Sequence, residues 1–149
     1  MTVFEEIALW LGGILEDNFP SREFLIDLEH MPSESQWENA AIMSNPNDLA
    51  VTLMSGRVKH TDFKTFYVQQ DFNDTKERIS NEAFFEALKA AIIKKNLNGA
   101  LPAASETRQW RSIECAGTAY PSGRAENEDT AIYQIILRLV YIEGVRSSR

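Results

Sequence analysis

Residues 130–143 read TAIYQIILRLVYIE, and residues 110–120 upstream read WRSIECAGTAY. Both stretches have the length and the β-branched and aromatic content of strands, and the polar run Pro121 to Asp129 is the loop between them. Successive side chains of a strand point to opposite faces. Ala131, Tyr133, Ile135, Leu137, Leu139 and Tyr141 therefore share one face, and Ile132, Gln134, Ile136, Arg138, Val140 and Ile142 the other. The first face is apolar throughout and is the expected core. The second sets Ile and Val between Gln and Arg, the composition of a surface covered by a further layer or by a second copy of the chain. Because an unpaired Arg is expensive to bury, the surroundings of Arg138 are what test whether that face is closed.

Working outward, a chain of 149 residues suits a single domain, 1–149, that buries roughly two thirds of its unfolded surface. At 44% hydrophobic and 25% charged residues it has the composition of a globular protein rather than a disordered or membrane chain. The apolar segment from Val3 to Leu15 is interrupted by Glu5, Glu6 and Gly12-Gly13, and it lacks the length and basic flank of a membrane span or signal peptide. The single cysteine, Cys115, forms no internal disulfide, which points to a reducing, intracellular origin.

Charge is uneven along the chain. Met1 to Ala50 holds ten acids and one base, Arg22, and the remainder holds twelve acids and fourteen bases. A nucleic-acid binder led by a basic face is disfavoured, because phosphate binding requires clustered Lys and Arg. A head-to-tail oligomer, with an acidic patch of one copy on a more basic patch of the next, fits the asymmetry, as does a plain acidic surface that keeps the protein in solution.

Phe4, Ile7, Ala8, Leu11, Ile14 and Leu15 recur at helical spacing behind Thr2 as N-cap, ending at Asn18-Phe19-Pro20. Glu23 to Glu29 alternates as a strand, Trp37 to Met43 is a weaker one, and Asn45-Pro46-Asn47-Asp48 is a turn before a strand from Leu49 to Leu53. Phe63 to Phe72 is a further strand, and Gly56 to Asp62 is a polar segment able to project as a hairpin arm. Ser80 to Lys95 forms a helix with Ser80 as N-cap and Gly99 and Pro102 as its stop. The order predicts an α+β fold: a single antiparallel or mixed sheet of four to five strands, two helices packed against one face, and a long C-terminal β-hairpin.

Catalytic residues are sparse. His30 and His60 lie in separate polar turns and read as surface residues, and Cys115, inside a strand, reads as a buried structural thiol. Gly12-Gly13 reads as close packing of helix on sheet, since no phosphate loop or dinucleotide fingerprint is present. No catalytic, cofactor or metal site is expected, and the chain is not read as an enzyme.

The run Asn81-Glu82-Ala83-Phe84-Phe85-Glu86-Ala87-Leu88, then Asn98-Gly99-Ala100-Leu101-Pro102, then Ile113 to Tyr120 and Ala131 to Leu139 resembles the small minor capsid or tail terminator proteins of long-tailed phages and prophages. In that family a helix, a leucine-proline turn and a long closing hairpin recur in this order, and here the resemblance covers about the last half of the chain. It implies a virion structural protein, made in the bacterial host cytoplasm, that forms a homo-oligomeric ring, commonly a hexamer. Such a ring stops tail-tube polymerisation and docks the tube to head completion proteins. The implied partners are further copies of the chain, the tail tube protein and a head completion protein, with no specific nucleic acid, membrane or cofactor. Candidate interface residues are Arg57, Lys59 and Asp62 in the arm, Arg124, Glu126, Glu128 and Asp129 in the hairpin loop, and Arg138 on the mixed face. A small acidic binding protein of the toxin-neutralising immunity type is the alternative, suggested by the net charge of −7.

Overall fold

The computed structural model describes residues 1–33, 37–72, 74–103, 107–117, 119–124 and 130–144, with backbone alone at Asn47 and at 122–124. Helix α1 (Val3–Asn18) starts where the sequence places it. The Glu5 amide donates to Thr2 Oγ1 at 3.2 Å and the Thr2 amide to Glu5 Oε1 at 3.1 Å, a capping box that satisfies two amides the helix itself cannot use. That hydrogen bonding to the Thr2 backbone and side chain favours the ionised form of Glu5 and holds its pKa below the ordinary value. Ile7, Leu11, Ile14 and Leu15 form the buried stripe.

Three strands follow: β1 (Phe24–Leu28), β2 (Glu38–Thr52) and β3 (Val58–Asp71). After helix α2 (Thr75–Leu97) come β4 (Arg108–Cys115), β5 (Tyr120–Arg124) and β6 (Thr130–Glu143). All six strands join one mixed sheet of order β1-β2-β3-β6-β4, with β5 pairing β6 beyond the end of β4. Only β1 and β2 run parallel. The α+β class and mixed sheet agree with the sequence reading, but among the described residues the sheet has six strands rather than four to five.

Three boundaries differ from expectation, each for an identifiable reason. Asn45 to Asp48 is a bulge rather than a turn: β2 continues through it, and both of its halves pair with β3, Asn45 opposite Phe63 and Leu49 opposite Thr61. A bulge is one of the few sheet positions that tolerate a proline, here Pro46. The chain reverses instead at Leu53 to Arg57, where Gly56 takes φ +87° and its amide donates to the Leu53 carbonyl at 2.9 Å. Gly56 to Asp62 is consequently no free arm, since from Val58 onward it lies between β2 and β6.

Helix α2 begins before Ser80. Asp74 is the N-cap and accepts from the Glu77 amide at 2.8 Å, so the Asp-x-x-Glu at 74–77 starts the helix. The first arm of the C-terminal hairpin is split in two. Gly117 takes φ +107° between β4 and β5, and β5 runs to Arg124 inside what the sequence suggests is loop.

Both helices pack on one face of the sheet. Ala131, Tyr133, Ile135, Leu137, Leu139 and Tyr141 of β6 are all buried there beside Phe66 and Val68 of β3. Helix α2 contributes Phe84, Phe85, Leu88 and Ile92, with the Phe85 ring stacked on Tyr133 at 5.0 Å. The expected apolar face of β6 is therefore the core. Gly12 and Gly13 do not mediate its packing, contrary to the sequence reading, because a Cβ built at either meets nothing within 4 Å. Among the described glycines, Gly144 is the one that allows close approach: a Cβ there would lie 3.0 Å from Arg57 Cγ and 3.2 Å from Arg57 Cα.

Candidate assembly surfaces

The opposite face of the sheet carries no helix among the described residues. Strand register places Thr61, Phe63, Thr65 and Tyr67 of β3 there, opposite Val140, Arg138, Ile136 and Gln134 of β6. Phe63, Tyr67, Ile132, Ile136 and Val140 are each partly exposed. The face continues onto the distal half of β2, where Leu49 and Val51 are 61% and 48% exposed, and Met54 at the hairpin tip is fully exposed. Pairing Leu49 with Thr61 and Val51 with Lys59 gives these leucine and valine side chains the same orientation as the Phe63 row. The result is a mixed surface along the two longest strand pairs, on which Phe63, Tyr67, Ile132, Ile136 and Val140 alternate with Thr61, Thr65, Gln134 and Arg138.

The residues singled out in the sequence do not converge. Arg138 is 46% exposed on this open face and pairs across strands with Glu114 of β4 at 3.3 Å, so its charge is solvated and partnered. Lys59 is exposed near the end of the same face. Asp62 points the other way: it is 9% exposed and binds Lys64 Nζ at 3.1 Å, beneath the Phe4 ring of α1. Arg57 lies against Gly144 at the turn. Arg124 ends β5, its side chain outside the described set, and Glu126, Glu128 and Asp129 lie outside the described residues.

Around the first turn of α1 the structure assembles a network that no sequence spacing announces. Arg108 of β4 donates through Nη1 to Glu6 Oε2 at 2.7 Å and through Nη2 to Glu143 Oε2 at 2.8 Å. Trp110 Nε1 donates to the same Glu6 oxygen at 3.1 Å. Burial alone would lower the pKa of Arg108, but its hydrogen bonds to Glu6 and Glu143 outweigh this and hold the guanidinium charged. His60 is part of this end rather than a plain surface residue. Its ring stacks on Tyr141 at 4.9 Å, and Nε2 lies 3.2 Å from Glu143 Oε1. Burial raises the Tyr141 pKa well above that of a free tyrosine, and Asp62 and Glu143 add to the rise. The signal available in the sequence was Glu6, an acid one step from the apolar stripe of α1.

At the other end of the sheet Arg22 donates through Nε and Nη2 to the two carboxylate oxygens of Glu38, reaches Gln70 Oε1 at 3.0 Å, and lies 4.1 Å from the Phe84 ring centroid. Its cleft, about 570 Å³, is lined by Gln69, Asn81 and Thr130 as well, but Gln69 donates to Thr130 and Asn81 to the Asp71 carbonyl. These polar groups hold the fold together. A groove of about 560 Å³ runs between α1 and β1, floored by Ala8, Gly12, Phe24 and Ile26, with Glu16 and Glu23 at its rim.

Cys115 is partly buried, and loss of solvation pushes its thiol up to about 11, consistent with an unreactive structural role. Among the described residues no group of three or more His, Cys, Asp and Glu side chains could hold a metal ion, and no helix is long and apolar enough to cross a membrane. Compared with known proteins, the chain matches no protein-family model and no curated protein.

Proposed function

We propose that this chain is a structural subunit of a tailed-phage virion, a tail terminator that forms a closed homo-oligomeric ring at the head-proximal end of the tail tube. The observation carrying the reading is the open sheet face. A monomer that lays both helices on one side of a long sheet and leaves Phe63, Tyr67, Ile132, Ile136 and Val140 partly exposed on the other, among Thr61, Gln134 and Arg138, has apolar area still to cover. Further support comes from the second half of the chain, where α2 is followed by β4, β5 and the long closing strand β6, the order on which the family resemblance rests. Self-association through such a surface, and docking of the ring onto tube and head proteins, is work for shape and apolar area rather than for a reactive centre.

Light scattering coupled to size-exclusion chromatography, run alone and with purified tail tubes, tests the reading. Rings on the tube ends, or a multimer free in solution, are expected. A chain that stays monomeric and leaves tube ends bare and still growing overturns it.

A further inference from the structure

The groove beside α1 and the outer ridge of α2 lie on opposite flanks of the molecule. β1, next to the groove, is one end of the strand path, and β4, under the C-terminal half of α2, is the other. With strands about 4.8 Å apart, four steps separate these edges by roughly 19 Å.

The groove has an apolar floor and an acidic margin. Exposed Glu16 and Glu23 stand on its rim, and Arg22, whose charge is held by Glu38, also lines it. Leu9, 63% exposed, and Trp37, 43% exposed, form its outer lips. Gly12-Gly13 opens its wall. Two successive glycines disfavour a helix, and nothing among the described residues occupies the space their side chains would take.

The opposite flank has the complementary character. On the outer side of α2, Ile93 is 48% exposed and Leu97 82% exposed, one turn apart on the same stripe. Exposed Lys94 stands beside them, Lys89 lies one turn before Ile93, exposed Glu86 lies two turns before it on the same stripe, and Arg111 is exposed on the adjoining β4. An apolar ridge bordered by lysines thus faces away from one edge of the sheet, and an apolar groove bordered by carboxylates opens at the other.

We propose that the groove between α1 and β1 receives the Ile93–Leu97 ridge of α2 from a second copy of the chain. The occupant is identified by charge complementarity together with the matched apolar surfaces, which are placed so that each copy offers one of each. Such a contact is heterologous and repeats from copy to copy, and a fixed turn per contact closes it into a ring. The inference rests on the ring reading and specifies a contact within that ring.

The test is cysteine cross-linking in the full chain with Cys115→Ser. Gly13→Cys and Leu97→Cys are made singly and together, and oxidised with copper phenanthroline and dioxygen, which take up the two electrons released per disulfide. Circular dichroism before oxidation confirms folding, and the room around Gly13 accommodates the change. The double variant should give a ladder of dimer, trimer and higher species on a non-reducing gel, while each single variant stays monomeric. Lys94→Glu should suppress the ladder, and Glu16→Lys with Glu23→Lys in the same chain should restore it. No ladder from the double variant, or dimers from one single variant alone, overturns the contact. If wild-type protein still caps tail tubes when the ladder is absent, the contact fails and the ring reading stands. A ladder from a chain inert towards tubes leaves the contact and removes the terminator reading, and loss of both removes both.

Discussion

Arg108 and Glu6, 102 residues apart in sequence, meet at 2.7 Å in a nearly closed site and join the first turn of α1 to the edge strand β4. Buried ion pairs add little net stability compared with an apolar replacement, yet removing one partner strands the other's charge. Glu6→Ala should therefore destabilise the fold by about 3 kcal/mol. Arg108→Met, which also releases Glu143, should cost a similar amount, and the double variant less than the sum of the two. Urea unfolding of all four proteins in a double-mutant cycle checks this, and strict additivity would show that the pair is not coupled.

Asn96 protects an edge. Its Oδ1 accepts from the Ile113 amide at 2.8 Å and its Nδ2 donates to the Ile113 carbonyl, occupying outward groups of β4 that could otherwise pair with another strand. Asn96→Ala should lower stability by about 2 kcal/mol. It should also raise turbidity on heating, because an unguarded strand edge recruits other chains. Unchanged scattering at equal unfolded fraction would remove the protective role.

Gly13→Ala separates two demands on one residue. With open space around its Cβ, alanine should stabilise the monomer by about 0.5–1 kcal/mol, a rise of a few degrees in Tm. If α1 also serves as a docking wall, the larger Gly13→Leu should leave the monomer equally folded and weaken assembly. Calorimetry and sedimentation on the same samples read the two effects independently.

On the open face, Ile136→Thr and Phe63→Ser should each change monomer stability by only about 1 kcal/mol, since both side chains are already partly in water. The same changes at Ile135 or Phe66, buried on the core face, should cost several times more. Loss of tube capping in the first pair with unfolding midpoints retained would mark the surface as functional, whereas retained capping would exclude it.

Cys115 gives a pH prediction. Its thiol is raised from 9.0 to about 11 by burial, so the folded state prefers the protonated form more than the unfolded state does. The stability linked to this preference is fully present below pH 9 and is lost as pH rises through 11. At pH 8 the folded protein should react with a thiol reagent at least ten times more slowly than the urea-unfolded chain. Equal rates would contradict the burial.

Much of the fold was legible because its signals are local. The period-two pattern of 131–141 identifies the core face of β6, and the Thr2 N-cap and apolar stripe identify α1. Misreadings fell where a long-range partner overrides a local signal. Asn45-Pro46-Asn47-Asp48 has the chemistry of a turn, but β3 runs past it and pairs on both sides, so the extra residues become a bulge. Asp62 has the polarity of an exposed arm, but β3 turns it beneath Phe4 toward Lys64. Nothing within 102 residues of sequence could bring Glu6 to Arg108, because that meeting depends on the strand order itself.

The strand order also constrains how the chain acquires its shape. β4 joins the sheet only through β6, which lies between it and β3. The hairpin of β2 and β3 can form from neighbours in sequence, but β4 has no strand to pair with until residues 130–143 arrive and insert between the two halves. Such distant pairings pay loop-closure entropy before any contact rewards them, which slows folding. During synthesis the full length of β3 would present an unpaired edge until the last strand emerged, so the interval before β6 inserts is when this protein is most open to misassembly with its own copies.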